Sequence, residues 1–154
     1  MANTDNKCHQ LPLDLTITPT FTEMLAMQKS LQERVMGPDF YSPYNSIGHV
    51  AEFFVSNAHA LNDEIHETID AVGGIGKGFG SAAWKWWKKD YAQAQTTPLS
   101  DMHPEDLLEL KYEIVDQFHF FMNQMVKIGM TADELASMYV AKNKENFDRQ
   151  ERGY

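Results

Sequence analysis

Cysteine is almost missing from this chain. Cys8 stands alone, so neither an intrachain disulfide nor a cysteine zinc cluster can form, which suits a reducing cytosol. Basic residues are scarce beside acidic ones: 13 Lys and Arg against 22 Asp and Glu leave a formal net charge of −9. That balance argues against nonspecific nucleic-acid binding, because neutralising phosphates needs a Lys/Arg surplus. It equally disfavours an anionic membrane surface. No apolar run approaches the length of a membrane span, and MANTDNKCHQ lacks the apolar heart of a signal peptide. The expected location is therefore the cytoplasm. No repeat and no β-type alternation of any length occurs. An acidic protein can still meet nucleotides where divalent cations bridge the two sets of negative charge. What is present suits one globular domain: 154 residues, 43% hydrophobic and 12% aromatic.

Residues 1–19 are polar and Thr/Pro-bearing, an expected extended arm. A helix is expected from Thr20 or Thr22, with Glu23 in its first turn, to Gly37-Pro38. Leu25, Met27, Leu31 and Val35 can face a core there. Gln28 and Gln32 share another flank at i, i+4 spacing, where glutamine is ordinarily solvated. A second helix runs from Ser46 to Val72, with a stripe of Phe54, Ala58, Leu61, Ile65, Ile69 and Val72. The run GGIGKGFG, residues 73–80, lacks the order GxxxxGK[ST] and reads as a mobile hinge rather than a phosphate loop. Ser81 is positioned to cap a short helix holding Trp84, Trp86 and Trp87 among lysines. Core packing and stacking on a base are equally open readings for those indoles. A long helix, Pro104 to Gly129, follows, apolar at Leu107, Leu108, Ile114, Val115, Phe118, Phe121, Met122, Met125 and Val126. Glu113, Asp116 and Asn123 lie opposite that stripe, with His119 on the flank of Asp116. Thr131 and Glu134 form a capping box for a last helix. On it Tyr139, Lys142, Asn143, Asn146 and Arg149 or Gln150 align, while Lys144, Glu145 and Asp148 point elsewhere. The expected fold is an all-α bundle of four to five helices.

Two helices carry carboxylate pairs, Glu64-Ile-His-Glu67 and Glu113-Ile-Val-Asp116. Residues three apart on a helix project from one side. Two such helices face to face gather four carboxylates, a repulsive cluster that a hard divalent cation neutralises. Oxygen-only ligands point to Mg²⁺ or Mn²⁺ rather than zinc. A di-iron bundle needs Glu-x-x-His on two helices. Asp116-Gln-Phe-His119 approximates one such motif, but Glu64–Glu67 lacks the histidine.

The segments SAAWKWWKKDYAQAQ, LELKYEIVDQFHFFMN and YVAKNKENFDRQERGY carry a resemblance. Over roughly residues 20–154 the chain resembles the all-α dimeric dUTPase family, related to the MazG-like nucleotide pyrophosphohydrolases, and its branch in T-even-type bacteriophages. That resemblance implies Mg²⁺-dependent hydrolysis of dCTP and dUTP to dCMP and dUMP with release of pyrophosphate, Mn²⁺ being a possible substitute. It implies metal ligation by Glu64, Glu67, Glu113 and Asp116, with Glu64 as the base that activates water. Gln28, Gln32 and His119 then lie against the base, and Trp86 or its neighbour Trp84 stacks on it. Lys142, Asn146 and Arg149 meet the phosphates. It further implies a homodimer, the host cytoplasm as the place of action, and one catalytic domain over residues 20–154 with a Gly/Trp-rich insertion at 73–100. Relatives commonly pair Gln with Asn on the first helix. Gln28 and Gln32 depart from that pairing, which fits an enzyme that accepts cytosine as well as uracil. The alternatives are a strict dUTPase, a pyrophosphohydrolase for another deoxynucleotide, and a non-enzymatic helical interaction protein.

Overall fold

Helices supply all of the repeating structure in the computed structural model, which describes residues 10–153; there is no strand among the described residues. The order is α1 (Phe21–Met36), α2 (Ile47–Val72), the short α3 (Tyr91–Ala94), α4 (Pro104–Ile128) and α5 (Ala132–Arg152). The protein is all-α. Local chemistry sets the helix ends. The Thr20 hydroxyl accepts from the Glu23 N–H at 3.3 Å while the Glu23 carboxylate accepts from the Thr20 N–H at 2.7 Å. Thr131 and Glu134 repeat this reciprocal cap at α5, at 3.1 and 2.8 Å. Such caps contribute on the order of 1 kcal/mol each. Ser46 caps α2 by accepting from the His49 N–H at 3.1 Å. At the end of α4, Gly129 has φ +71°, and a Cβ there would strike the ring of Tyr41, so only glycine suits the exit.

The chain divides into two compact units, Val55–Phe121 with the chain up to Thr16, and Ile17–Phe54 with Met122–Tyr154. In the first unit Ala71, Ala82 and Leu110 are buried; in the second Phe40, Met122, Met125 and Val126 are. Residues 11–19 form no helix and expose Leu11, Leu13, Leu15 and Ile17. Cys8, with the rest of the arm's first nine residues, lies outside the described residues.

Several expectations are corrected. In the first unit the apolar stripes of α2 and α4 do not form the core: Ile65, Ile69, Val72, Ile114, Val115 and Phe121 are all exposed, Ile114 by 54%. The polar sides pair instead. The Asn57 amide donates to the Phe120 carbonyl at 3.1 Å, and the Gln117 amide donates to the Thr68 hydroxyl. In the second unit Met27, Leu31 and Val35 of α1 are likewise exposed, and Gln28 is the buried residue of that helix.

The glycine run is a wound loop rather than an open hinge. Phe79 and Gly80 donate their N–H groups to the Gly73 carbonyl, and Gly76 and Lys77 donate theirs to the Asp106 carboxylate at 2.8 and 3.0 Å. A Cβ on Gly73 would overlap the Gly80 carbonyl. The tryptophan helix does not form. A single 3₁₀ turn, Gly80–Ala83, contains Ser81 without a side-chain cap, and the three tryptophans occupy the turns before α3. Short helices depend on burying one face, and these indoles are all substantially exposed, Trp86 by 73%.

Candidate active site

In the first unit α2 and α4 hold the carboxylates. The Thr68 hydroxyl donates to the Glu64 carbonyl at 2.9 Å while accepting from Gln117, which fastens this turn of α2 to α4. One turn apart on α2, Glu64 and Glu67 face Glu113 of α4. An oxygen of each of the three carboxylates lies within 4.8 Å of the others. Glu113 is buried, Glu64 half-buried and Glu67 exposed. Burial, and then the charges of Glu67, Asp116, Glu109 and Glu64, push Glu113 up from 4.5 to about 7. Burial first, then Glu67, Asp116 and Asp63, raises Glu64. Asp116 stands outside the three-oxygen group, yet its charge reaches both glutamates. These oxygens repel one another and pair with no cation among the described residues, the condition a hard divalent ion relieves. The residues present fit such an ion.

His119 is half-buried in the same unit. Trp86 packs edge-to-face on Trp87 with centroids 5.6 Å apart. Trp84 is committed otherwise: its indole N–H donates to Asp70 at 2.9 Å, and the Lys85 ammonium sits 4.5 Å above its ring. A cleft of about 940 Å³ also opens in this unit between the glycine loop and the Gln93–Pro104 segment, and the carboxylate cluster does not line it.

In the second unit α1 packs against α5. Gln28 is only 5% exposed, and its side-chain N–H donates to Asn123 Oδ1 at 2.6 Å; Asn123 is also 5% exposed. Gln32 is half-buried. On α5 Lys142, Asn146 and Arg149 are exposed. Glu145 does not point away from this row. Its Oε1 accepts from Arg149 Nε and from Arg152 Nη2, both at 2.9 Å, and these bonds hold its carboxyl below the usual range.

The sequence singled out neither Glu109 nor Lys127, and it placed Asn123 on the acidic side without marking it as buried or bonded. Glu109 is buried one turn before Glu113, and Asn123 is the partner of Gln28. Lys127 is buried, its ammonium donating to the Phe40 carbonyl at 2.9 Å and lying above the rings of Phe40 and Phe53. Burial lowers its pKa. A signal existed for all three: Asp106, Glu109, Glu113, Asn123 and Lys127 recur at helical spacing along α4.

Residues 111–154 match the family described as dUTPase. The chain is 41% identical over 138 residues to the dCTP pyrophosphatase of Enterobacteria phage LZ5, covering 85% of this chain and 80% of the relative. It belongs to the phage dCTP pyrophosphatase family. A second family member, the dCTP pyrophosphatase of Enterobacteria phage T4, is 39% identical over 137 residues with the same coverage. A DNA replication protein of phage T4 is 37% identical over 127 residues, which cover 79% of this chain but 32% of that longer protein. No solved structure matches. The part matched by the dUTPase family contains Glu113, Asp116, His119, Asn123, Lys142, Asn146 and Arg149.

Proposed function

We propose that the protein hydrolyses dCTP and dUTP to their monophosphates and pyrophosphate, with residues 20–154 working as one catalytic domain in the host cytoplasm. The observation that carries this reading is the 41% identity, over most of both chains, to a dCTP pyrophosphatase. The gathered oxygens of Glu64, Glu67 and Glu113 supply matching chemistry. Together with Asp116 they are the residues that would hold Mg²⁺, or Mn²⁺ in its place. When bound, that ion supplies charge neutralisation for the triphosphate and orientation for in-line attack. Glu64, beside the ion, takes the proton from the attacking water. Lys142, Asn146 and Arg149 donate to phosphate oxygens and stabilise charge on the leaving pyrophosphate. Gln28 and Gln32 read the edge of the base, and Trp86 and His119 offer flat faces to it.

The same reading includes a homodimer. The exposed Ile65, Ile69, Ile114, Val115 and Phe121 of the first unit support it, because apolar surface of this extent is normally covered. The net charge of −9 argues against direct nucleic-acid binding. The deciding experiment is pyrophosphate release from dCTP, dUTP, dTTP, dATP and dGTP with Mg²⁺. Turnover of the first two and not of the purines is expected. Absence of pyrophosphate from all five would leave a helical interaction protein as the better description.

A further inference from the structure

The amide pair Gln28–Asn123 is an unusual thing to bury. Each residue is 5% exposed, they lie 95 positions apart in the chain, and one hydrogen bond of 2.6 Å joins them. A primary amide offers an acceptor on one side and two donors on the other. The bond uses Gln28 Nε2 and Asn123 Oδ1, which leaves Gln28 Oε1 and Asn123 Nδ2 without a partner among the described residues. Among the described residues no fully buried side-chain polar atom lacks a hydrogen bond. Those two remaining atoms therefore belong to the sliver of this pair that is still accessible. We infer that Asn123 is a positioning residue that sets which end of the Gln28 amide is presented to the base, and so sets the balance between cytosine and uracil.

This inference rests on the reading that Gln28 faces the base. Two senses of the pair are equally well bonded. In the sense observed, Gln28 Nε2–H donates to Asn123 Oδ1, so Gln28 presents Oε1, an acceptor that suits the 4-amino group of cytosine. With both amides rotated, Asn123 Nδ2–H donates to Gln28 Oε1. Gln28 then presents an N–H donor that suits the 4-oxo group of uracil. A lone glutamine rotates without direction, whereas a buried partner couples its rotation to a second amide. Neither sense leaves the Gln28–Asn123 contact unpaired, and an unpaired contact would be the costly outcome for groups this deeply buried. Dual specificity follows from one concerted rotation of the two amides, without movement of either helix.

Asn123→Asp tests the coupling, because an ionised carboxylate only accepts and so holds Gln28 in the cytosine-reading sense. The expected result is a rise of at least tenfold in the ratio of kcat/KM for dCTP to that for dUTP. A merely structural Asn123 would lower both values equally, and an unmoved ratio overturns the inference. Gln28→Ala, run beside it, separates the two claims. If that variant leaves the ratio and both kcat/KM values unchanged, Gln28 does not read the base, and the underlying assignment fails instead. Should Asn123→Asp not fold, as judged by thermal melting, the wild-type protein answers the question. The side-chain amide NMR signals of Gln28 and Asn123 are followed on titration with dCMP and separately with dUMP. Different Asn123 amide shifts for the two nucleotides support the coupled rotation, and identical shifts refute it.

Discussion

Replacing Glu113 with Gln should make the cation-free protein more stable and the enzyme inactive. Glu113 is buried among carboxylates, and its pKa rises from 4.5 to about 7. An acid whose folded pKa lies above its unfolded value holds its proton more tightly in the folded state. Its burial is therefore best tolerated below pH 4.5, and stability is lost as pH rises from there to about 7. Above that window the whole penalty applies. The displacement corresponds to roughly 3 kcal/mol at 1.36 kcal/mol per pH unit. Glu67, the first of the repelling charges, is exposed, so solvent screening brings the penalty nearer ~2 kcal/mol. Glutamine keeps the shape and removes the charge. For a chain of this size ~2 kcal/mol is a rise of roughly 4–8 °C in Tm, expected for Glu113→Gln at pH 8 in EDTA. At pH 5 wild-type Glu113 is already mostly protonated, and the gain should fall below about 1 kcal/mol. Adding Mg²⁺ at pH 8 should then raise the Tm of the wild type and much less that of the variant. Thermal melts of both proteins at pH 5 and 8, with EDTA or Mg²⁺, give the full comparison. A variant less stable than wild type at pH 8 in EDTA, or one with equal gains at both pH values, would refute the reasoning.

Other consequences are local. Asp106→Ala removes the acceptor for two backbone N–H groups of the glycine loop; it should cost about 3 kcal/mol and lower Tm by roughly 6–12 °C, and a loss of less than 2 °C would mean the loop is held by its internal bonds alone. Glu145→Gln releases a carboxylate charge from Arg149 and Arg152. If Arg149 serves the triphosphate and its leaving pyrophosphate, steady-state kinetics on dCTP should show a higher kcat/KM, with a lower KM. A higher KM would instead mark Glu145 as the residue that aims Arg149.

What was legible in the sequence is what depends on neighbours a few residues away. Thr20 with Glu23, Thr131 with Glu134, and the exits at Gly37 and Gly129 stand where turn chemistry puts them. The i, i+3 carboxylate pairs were also plain, since helical spacing alone places each pair on one face. Which face of a helix meets its neighbour was not legible. Amphipathicity distinguishes two sides of α4 without saying which side is covered, and the deciding contacts, Asn57 to Phe120 and Gln117 to Thr68, join residues 63 and 49 positions apart. Gln28 stood out as a candidate from the resemblance. Its partner Asn123 looked like one more solvated amide on the acidic side. The tryptophan segment misled for another reason: its residue types permit a helix, but with every indole exposed no buried face sustains one.

The polar side of α4 explains why its apolar side is left out around Ile114, Val115 and Phe121, although Met122, Met125 and Val126 are buried. Asp106 holds the glycine loop and Glu113 joins the carboxylate cluster in the first unit; in the second, Asn123 directs Gln28 and Lys127 holds the Phe40 carbonyl. Each is buried, and each has a bonded or electrostatic task that a leucine at that position could not perform. Burying such groups gains little stability, because the desolvation they suffer nearly cancels the bonds they make. Meanwhile Ile114, Val115 and Phe121 keep much of their surface in water, and covering a side chain of this kind contributes about 1.5–3 kcal/mol. A helix committed inward to polar tasks thus carries unspent apolar surface outward. For an enzyme of this family that surface is reason to expect a second copy of the chain against α2 and α4.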